Sequence, residues 1–198
     1  MKGWYFERWR HSLAARGIRT SLKTKSLNLN GPIVAKTHGI PITIKDPPNS
    51  RQVYPVTPID VKKTFDAIPK HELVGISEIN FRHPGIPATK QDKAWAQYVR
   101  SDKRINVFTQ KFDGEELLDV DRGLEAPEEA REYMLNYVLP HEAAHHTIQY
   151  VWGFNNDPMI KEEARADAKT FGYYPLDKKV EKAFMEKRKE DFGPKGSI

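Results

Sequence analysis

Apolar residues recur along this chain in two rhythms, alternation in short runs and helical spacing, and the helical rhythm prevails over its last third. Residues 4–16 suit a helix with Tyr5, Trp9 and Leu13 on one stripe, stopped by Gly17, and residues 20–39, rich in Ser, Thr, Asn and Lys, read as a linker. Residues 40–45 suit a short strand, after which Pro47, Pro48, Pro55 and Pro58 confine the backbone to loop or extended forms. A helix is predicted from Ile59, with Asp60 as its cap and Val61, Phe65 and Ile68 facing inward, ending near Pro69. Residues 73–81 read as a strand, and residues 94–100 and 105–110 as a hairpin turning at 101–104. An acidic loop over 111–126 precedes a long helix that starts at Pro127 and runs to about Trp152. Asp157 and Pro158 signal a further helix through Phe171, closed by Gly172, and Leu176, Val180, Ala183 and Phe184 mark a last amphipathic helix over about 176–189. Strands first and helices later predict an α+β fold. The expected organisation is a basic N-terminal helix and linker over 1–39, one domain over 40–175, and a C-terminal helix and tail over 176–198.

Composition narrows the classes. At 198 residues, with 38% hydrophobic and 11% aromatic residues, the chain can bury one good core and is not disordered throughout. No apolar run approaches the roughly 20 residues of a membrane helix, and charges interrupt the aromatic N-terminus where an export signal would be apolar. A cytoplasmic protein without membrane insertion is expected. Cysteine is absent, so a metal would have to be held by histidine and carboxylate. The net charge of +5 is uneven: residues 1–36 carry eight Lys or Arg against Glu7 alone, and the rest of the chain is slightly acidic. Such an arm can contact nucleic acid, lie in solvent, or fold over its own domain.

The chemistry concentrates in His141-Glu142-Ala143-Ala144-His145. Histidines four apart on a helix share a face, so both imidazoles can reach one ion about 2.0–2.1 Å from each ring nitrogen. Glu142 lies roughly 100° further round the helix, placed to reach a water rather than the ion. Two surface histidines on an ordinary helix would give the same letters, but Tyr133, Leu135, Val138 and Ile148 make this helix largely buried, where unpartnered imidazoles are costly. The next helix carries Glu163 and Asp167, also four apart. Glu163, or its neighbour Glu162, can serve as third ligand and leave a fourth zinc position open, while Asp167 can accept the remaining N–H of a ligating histidine.

His141-Glu142-x-x-His145 followed by Glu163-x-x-Ala166-Asp167 resembles the gluzincin metallopeptidases, in particular the small minigluzincins, over about residues 55–175. The resemblance implies a zincin-like fold, with a small mixed sheet above the active-site helix. It also implies one zinc ion on His141, His145 and Glu163, Glu142 as general base, and endopeptidase action on a peptide lying antiparallel to an edge strand, for which residues 105–110 are the candidate. Latency through a terminal segment is a corollary. Two positions depart from the pattern: Pro140, where the helix must kink or restart, and Thr147, where an apolar residue is usual. His146 reads as a packing residue, and Tyr173, Tyr174, Arg165 and His83 as candidates to steady an oxyanion. A nucleic-acid-associated protein of the same fold, using residues 1–36 and lacking proteolysis, is the alternative.

Overall fold

Residues 33–44 form a hairpin whose two-residue turn, His38-Gly39, takes positive φ at both positions (48° and 90°), the twist that a tight hairpin requires. The computed structural model describes residues 29–48, 52–84, 94–112, 116–120, 123–154, 156–173 and 178–192. The predicted helix at 4–16 and most of the basic arm lie outside these residues. The hairpin strands, β1 (Ile33–Thr37) and β2 (Ile40–Ile44), are antiparallel. Helix α1 (Pro58–Ala67) then crosses over to β3 (Glu78–Arg82), which runs parallel to β2. β4 (Ala96–Val99) and β5 (Arg104–Phe108) form the expected hairpin, and β5 lies parallel to β3. The five strands therefore form one mixed sheet in the order β1-β2-β3-β5-β4.

Several expectations are corrected. The stretch read as linker contains β1, so the sheet begins before residue 40. Thr57, not Asp60, caps α1; Asp60 is the third helical residue and closes a reciprocal capping box with Thr57. Leu73 and Ile76, read as part of that strand, are buried in a turn through Gly75 (φ 100°), and the strand starts only at Glu78. β5 is internal, and the edge beside it is β4. Part of the acidic loop pairs as a short ribbon, β6 (Leu118–Val120) with β7 (Gly123–Glu125). Ala183 is exposed on the last helix, although Phe184 is half-buried.

One sheet face carries Ile42, Ile79, Phe81, Ile105 and Val107, which pack on Val61 and Phe65 of α1 and on Met134 and Leu139 of the long helix. The other face sets Thr43, Asn80 and Asn106 in register across three strands, with the buried Glu78 bonded to Thr43, Asn30 and Arg104. Its polar residues obscure the alternation of the inner face.

The long helix is unbroken but not uniform. It runs as α2 (Glu128–Tyr133), a π-helical turn (Met134–Val138), α3 (Leu139–His146) and a second π turn (Thr147–Val151). Pro140 explains the first wide turn. A proline in a regular helix removes one N–H bond and clashes with the carbonyl four residues back. Here the Leu139 N–H reaches Met134, five residues back, and the wider ring accommodates Pro140 without a break. The expected kink is thus replaced by an added residue in the turn.

α4 (Met159–Thr170) lies against α3 and antiparallel to it: Tyr137 meets Asp167, His141 meets Glu163, and His145 meets Glu162. Asp157, expected as cap, instead pairs with Arg165, and Pro158 precedes the first turn. α5 (Lys178–Phe192) packs on α4, with the Phe184 ring 5.9 Å from that of Phe171. No helix among the described residues is long and apolar enough to cross a membrane.

Phe65 is fully buried between the sheet and the long helix, so Phe65→Ala should destabilise the fold by about 3–5 kcal/mol, measured by denaturant unfolding.

Candidate metal centre

Three donor atoms converge from two helices. His141 Nε2 and His145 Nε2, one turn apart on α3, are 3.1 Å from each other, and Glu163 of α4 places Oε2 3.2 Å from the first and Oε1 3.4 Å from the second. The edge of a tetrahedron with bonds of about 2.0–2.1 Å is about 3.3–3.4 Å, so the two Nε2 atoms lie close to the spacing of two ligands on one small cation, with the Glu163 carboxylate against both. The His141–His145–Glu163 group can hold a metal ion. Its donor chemistry fits one: two imidazole nitrogens facing each other at 3.1 Å cannot both carry protons, and a shared cation satisfies both along with the carboxylate.

The other ring nitrogens are oriented by acids. His141 Nδ1 lies 3.0 Å from Asp167 Oδ1, which also accepts from the Tyr137 hydroxyl at 2.7 Å. His145 Nδ1 lies 2.9 Å from Glu162 Oε1, and Glu162 is held in turn by Gln149 and by Arg100, whose Nη2 is 2.6 Å from Oε2. Each imidazole thus has a carboxylate behind it, the arrangement that fixes tautomer and ring orientation in metal sites. Glu162 and Glu163, which sequence reasoning offered as rivals for one role, are placed in two different ones.

Burial by itself would drive both histidines toward the neutral form. The carboxylates outweigh it: Asp167 and Glu163 hold His141 above its ordinary value, and Glu162 and Glu163 raise His145 to about 10. Glu163 is depressed well below the carboxylate range, because its hydrogen bonds to His141 and His145 overcome its own burial. Glu162 is lowered as well, with His145 outweighing burial. The site is therefore a buried concentration of negative charge that stabilises cations.

Glu142 points to the open side. Its Oε2 accepts from the Tyr98 main-chain N–H at 2.6 Å, and it lines a pocket with Gln97, Arg100, His141, His145 and Glu163. Three of the four oxyanion candidates fall elsewhere. His83 bonds to Thr109 and Asp46, Arg165 pairs with Asp157 and covers the Phe154 ring, Tyr173 is exposed beside Phe184, and Tyr174 lies outside the described residues. His146 is fully buried, with its ring nitrogens on the Tyr98 hydroxyl and the Val74 carbonyl, in keeping with a packing role. Thr147 is buried too and returns its hydroxyl to the Ala143 carbonyl at 3.1 Å, so the departure from an apolar residue leaves no polar group unpaired.

Tyr137, Gln149, Arg100 and Tyr98 were missed by sequence reasoning. Tyr137 precedes His141 by four and Gln149 follows His145 by four, so helical spacing could have found both. Arg100 and Tyr98 reach the site from another part of the chain, and no local pattern marks them. No protein-family model, no curated protein and no solved structure matches this chain.

The pKa directions set a pH dependence for protein stripped with a chelator. His145 rises from 6.5 to about 10 on folding, so its stabilisation is complete below about pH 6.5 and is lost as the pH climbs through 10. Thermal melting of the stripped protein should therefore fall over that interval, and saturating Zn²⁺, which prefers unprotonated imidazole, should flatten or reverse the trend.

Proposed function

We propose that this protein is a zinc-dependent peptidase of the gluzincin type, with His141, His145 and Glu163 as metal ligands and Glu142 as general base. The observation that carries the reading is the convergence of two imidazoles and one carboxylate within reach of one ion, with a further carboxylate, Glu142, lining the same pocket. Nitrogen and oxygen donors with no thiolate, three from the protein, suit zinc in a site that keeps one position for solvent or substrate. When bound there, zinc would act as a Lewis acid on the scissile carbonyl and lower the pKa of water.

The side chains then divide the work. Glu142 takes a proton from the attacking water as the C–O bond forms, and returns it to the departing amine as the C–N bond breaks. Asp167 and Glu162 hold the two imidazoles by their Nδ1 atoms, so that each Nε2 stays aimed at the ion. Tyr137 and Arg100 hold those acids in turn. The strand edge bordering the pocket is β4, which makes it, and not β5, the element along which an extended peptide would lie.

Glu142→Gln should retain zinc while lowering hydrolysis of a casein-type substrate by at least about 100-fold, read by metal analysis and a cleavage assay on the same preparation. Wild-type turnover by that variant would remove Glu142 from the mechanism. Glu163→Ala should weaken zinc binding by more than about 100-fold in competition with a chromogenic chelator, whereas unchanged affinity would mean that Glu163 is not a ligand.

A further inference from the structure

Tyr98 is fastened to α3 at two points one turn apart. Its main-chain N–H donates to Glu142 Oε2 at 2.6 Å, and its hydroxyl lies 2.9 Å from His146 Nδ1. His146 Nε2 is 3.0 Å from the Val74 carbonyl, which can only accept. Nε2 therefore carries the ring proton, and in the neutral ring Nδ1 accepts from the Tyr98 hydroxyl. Backbone and side chain of one residue thus set the height of the β4 edge over the helix.

The direction of that N–H matters. In an antiparallel pair the two bonding directions alternate along the strand. The Phe108 N–H donates to the Trp95 carbonyl, and Trp95 is followed by the register pairs Ala96↔Val107, Gln97↔Asn106 and Tyr98↔Ile105. Trp95 and Gln97 consequently bond toward β5, while Ala96 and Tyr98 direct their backbone groups away from it. The N–H that holds Glu142 belongs to the open side of the edge strand, and Glu142 occupies the place where an extended peptide would put a carbonyl.

From this geometry we infer that Tyr98 is a positioning residue for the reaction: its main-chain N–H fixes the general base Glu142, and the same bond removes that N–H from the set available to an extended substrate. The inference rests on the assignment of Glu142 as base. A hydrogen bond to a carboxylate held in this way restrains one oxygen and leaves the other to face the pocket. Peptide pairing along β4 is then interrupted at Tyr98, next to the metal ligands, where cleavage requires the substrate carbonyl to turn toward the ion instead of the strand.

The test exchanges Tyr98 for its α-hydroxy acid counterpart, which replaces the N–H with an ester oxygen and retains the ring and hydroxyl. With zinc content unchanged, kcat should fall about 10- to 100-fold while KM changes by less than about threefold, as expected for loss of a hydrogen bond to a charged group in the chemical step. A kcat for the ester protein within about threefold of wild type overturns the proposal. Amide hydrogen exchange supplies a readout independent of turnover: the Tyr98 amide should be protected in the zinc-loaded wild type and exchange at least about tenfold faster in Glu142→Ala. Equal exchange in the two proteins also overturns the proposal. A zinc-loaded wild type that cleaves no peptide overturns the peptidase reading and the catalytic role of Tyr98 with it, and amide exchange then decides the Tyr98–Glu142 bond alone.

Discussion

The contact between α3 and α4 governs this molecule, because it brings four carboxylates and two imidazoles into a space where neither sign of charge is comfortable without the other. Alanines permit the approach. Ala144 of α3 and Ala166 of α4 are buried in one small apolar cluster with Ile148. Side chains of this size let the helix axes come close enough for Glu163 to reach both Nε2 atoms directly. Larger residues at these positions would separate the helices and pull the carboxylate away from the rings.

Around that contact the polar groups are paired in layers. The imidazoles are backed by Asp167 and Glu162, and these by Tyr137, Gln149 and Arg100. Such depth answers the cost of burying charge, since removing one member leaves its partner charged and unpaired. It also joins separate parts of the fold. Arg100, at the end of β4, ties the sheet to α4 through Glu162, and Tyr98 ties the same strand to α3. The sheet edge and the two helices therefore hold each other in position, with the pocket between them.

Pro140 shows how a local conflict is resolved within this frame. A proline directly before the first histidine opposes a regular helix, yet the histidines must stay one turn apart on α3. Widening the turn over Met134–Val138 meets both demands, since it lies upstream of the pair and leaves the spacing from His141 to His145 helical. Tyr137, inside the wide turn, still stacks between Tyr133 and His141 and reaches Asp167.

The sequence by itself determined what depends on neighbours along one element. The pairing of His141 with His145, the offset of Glu142, the spacing of Glu163 and Asp167, the β4–β5 hairpin and the burial of Val61 and Phe65 all follow from helical or strand period, which a few residues suffice to express. Tertiary structure decided whatever depends on distance between elements. The order of strands made β4 the edge although β5 is the more apolar of the two. Helix packing put Glu163 against the two Nε2 atoms and Glu162 behind His145 at Nδ1, a division two adjacent glutamates cannot reveal in one dimension. Contacts at sequence separations of 44 and 62 brought Tyr98 to Glu142 and Arg100 to Glu162. Local periodicity carries no information about such pairs, because their energy arises only once the chain has folded back on itself.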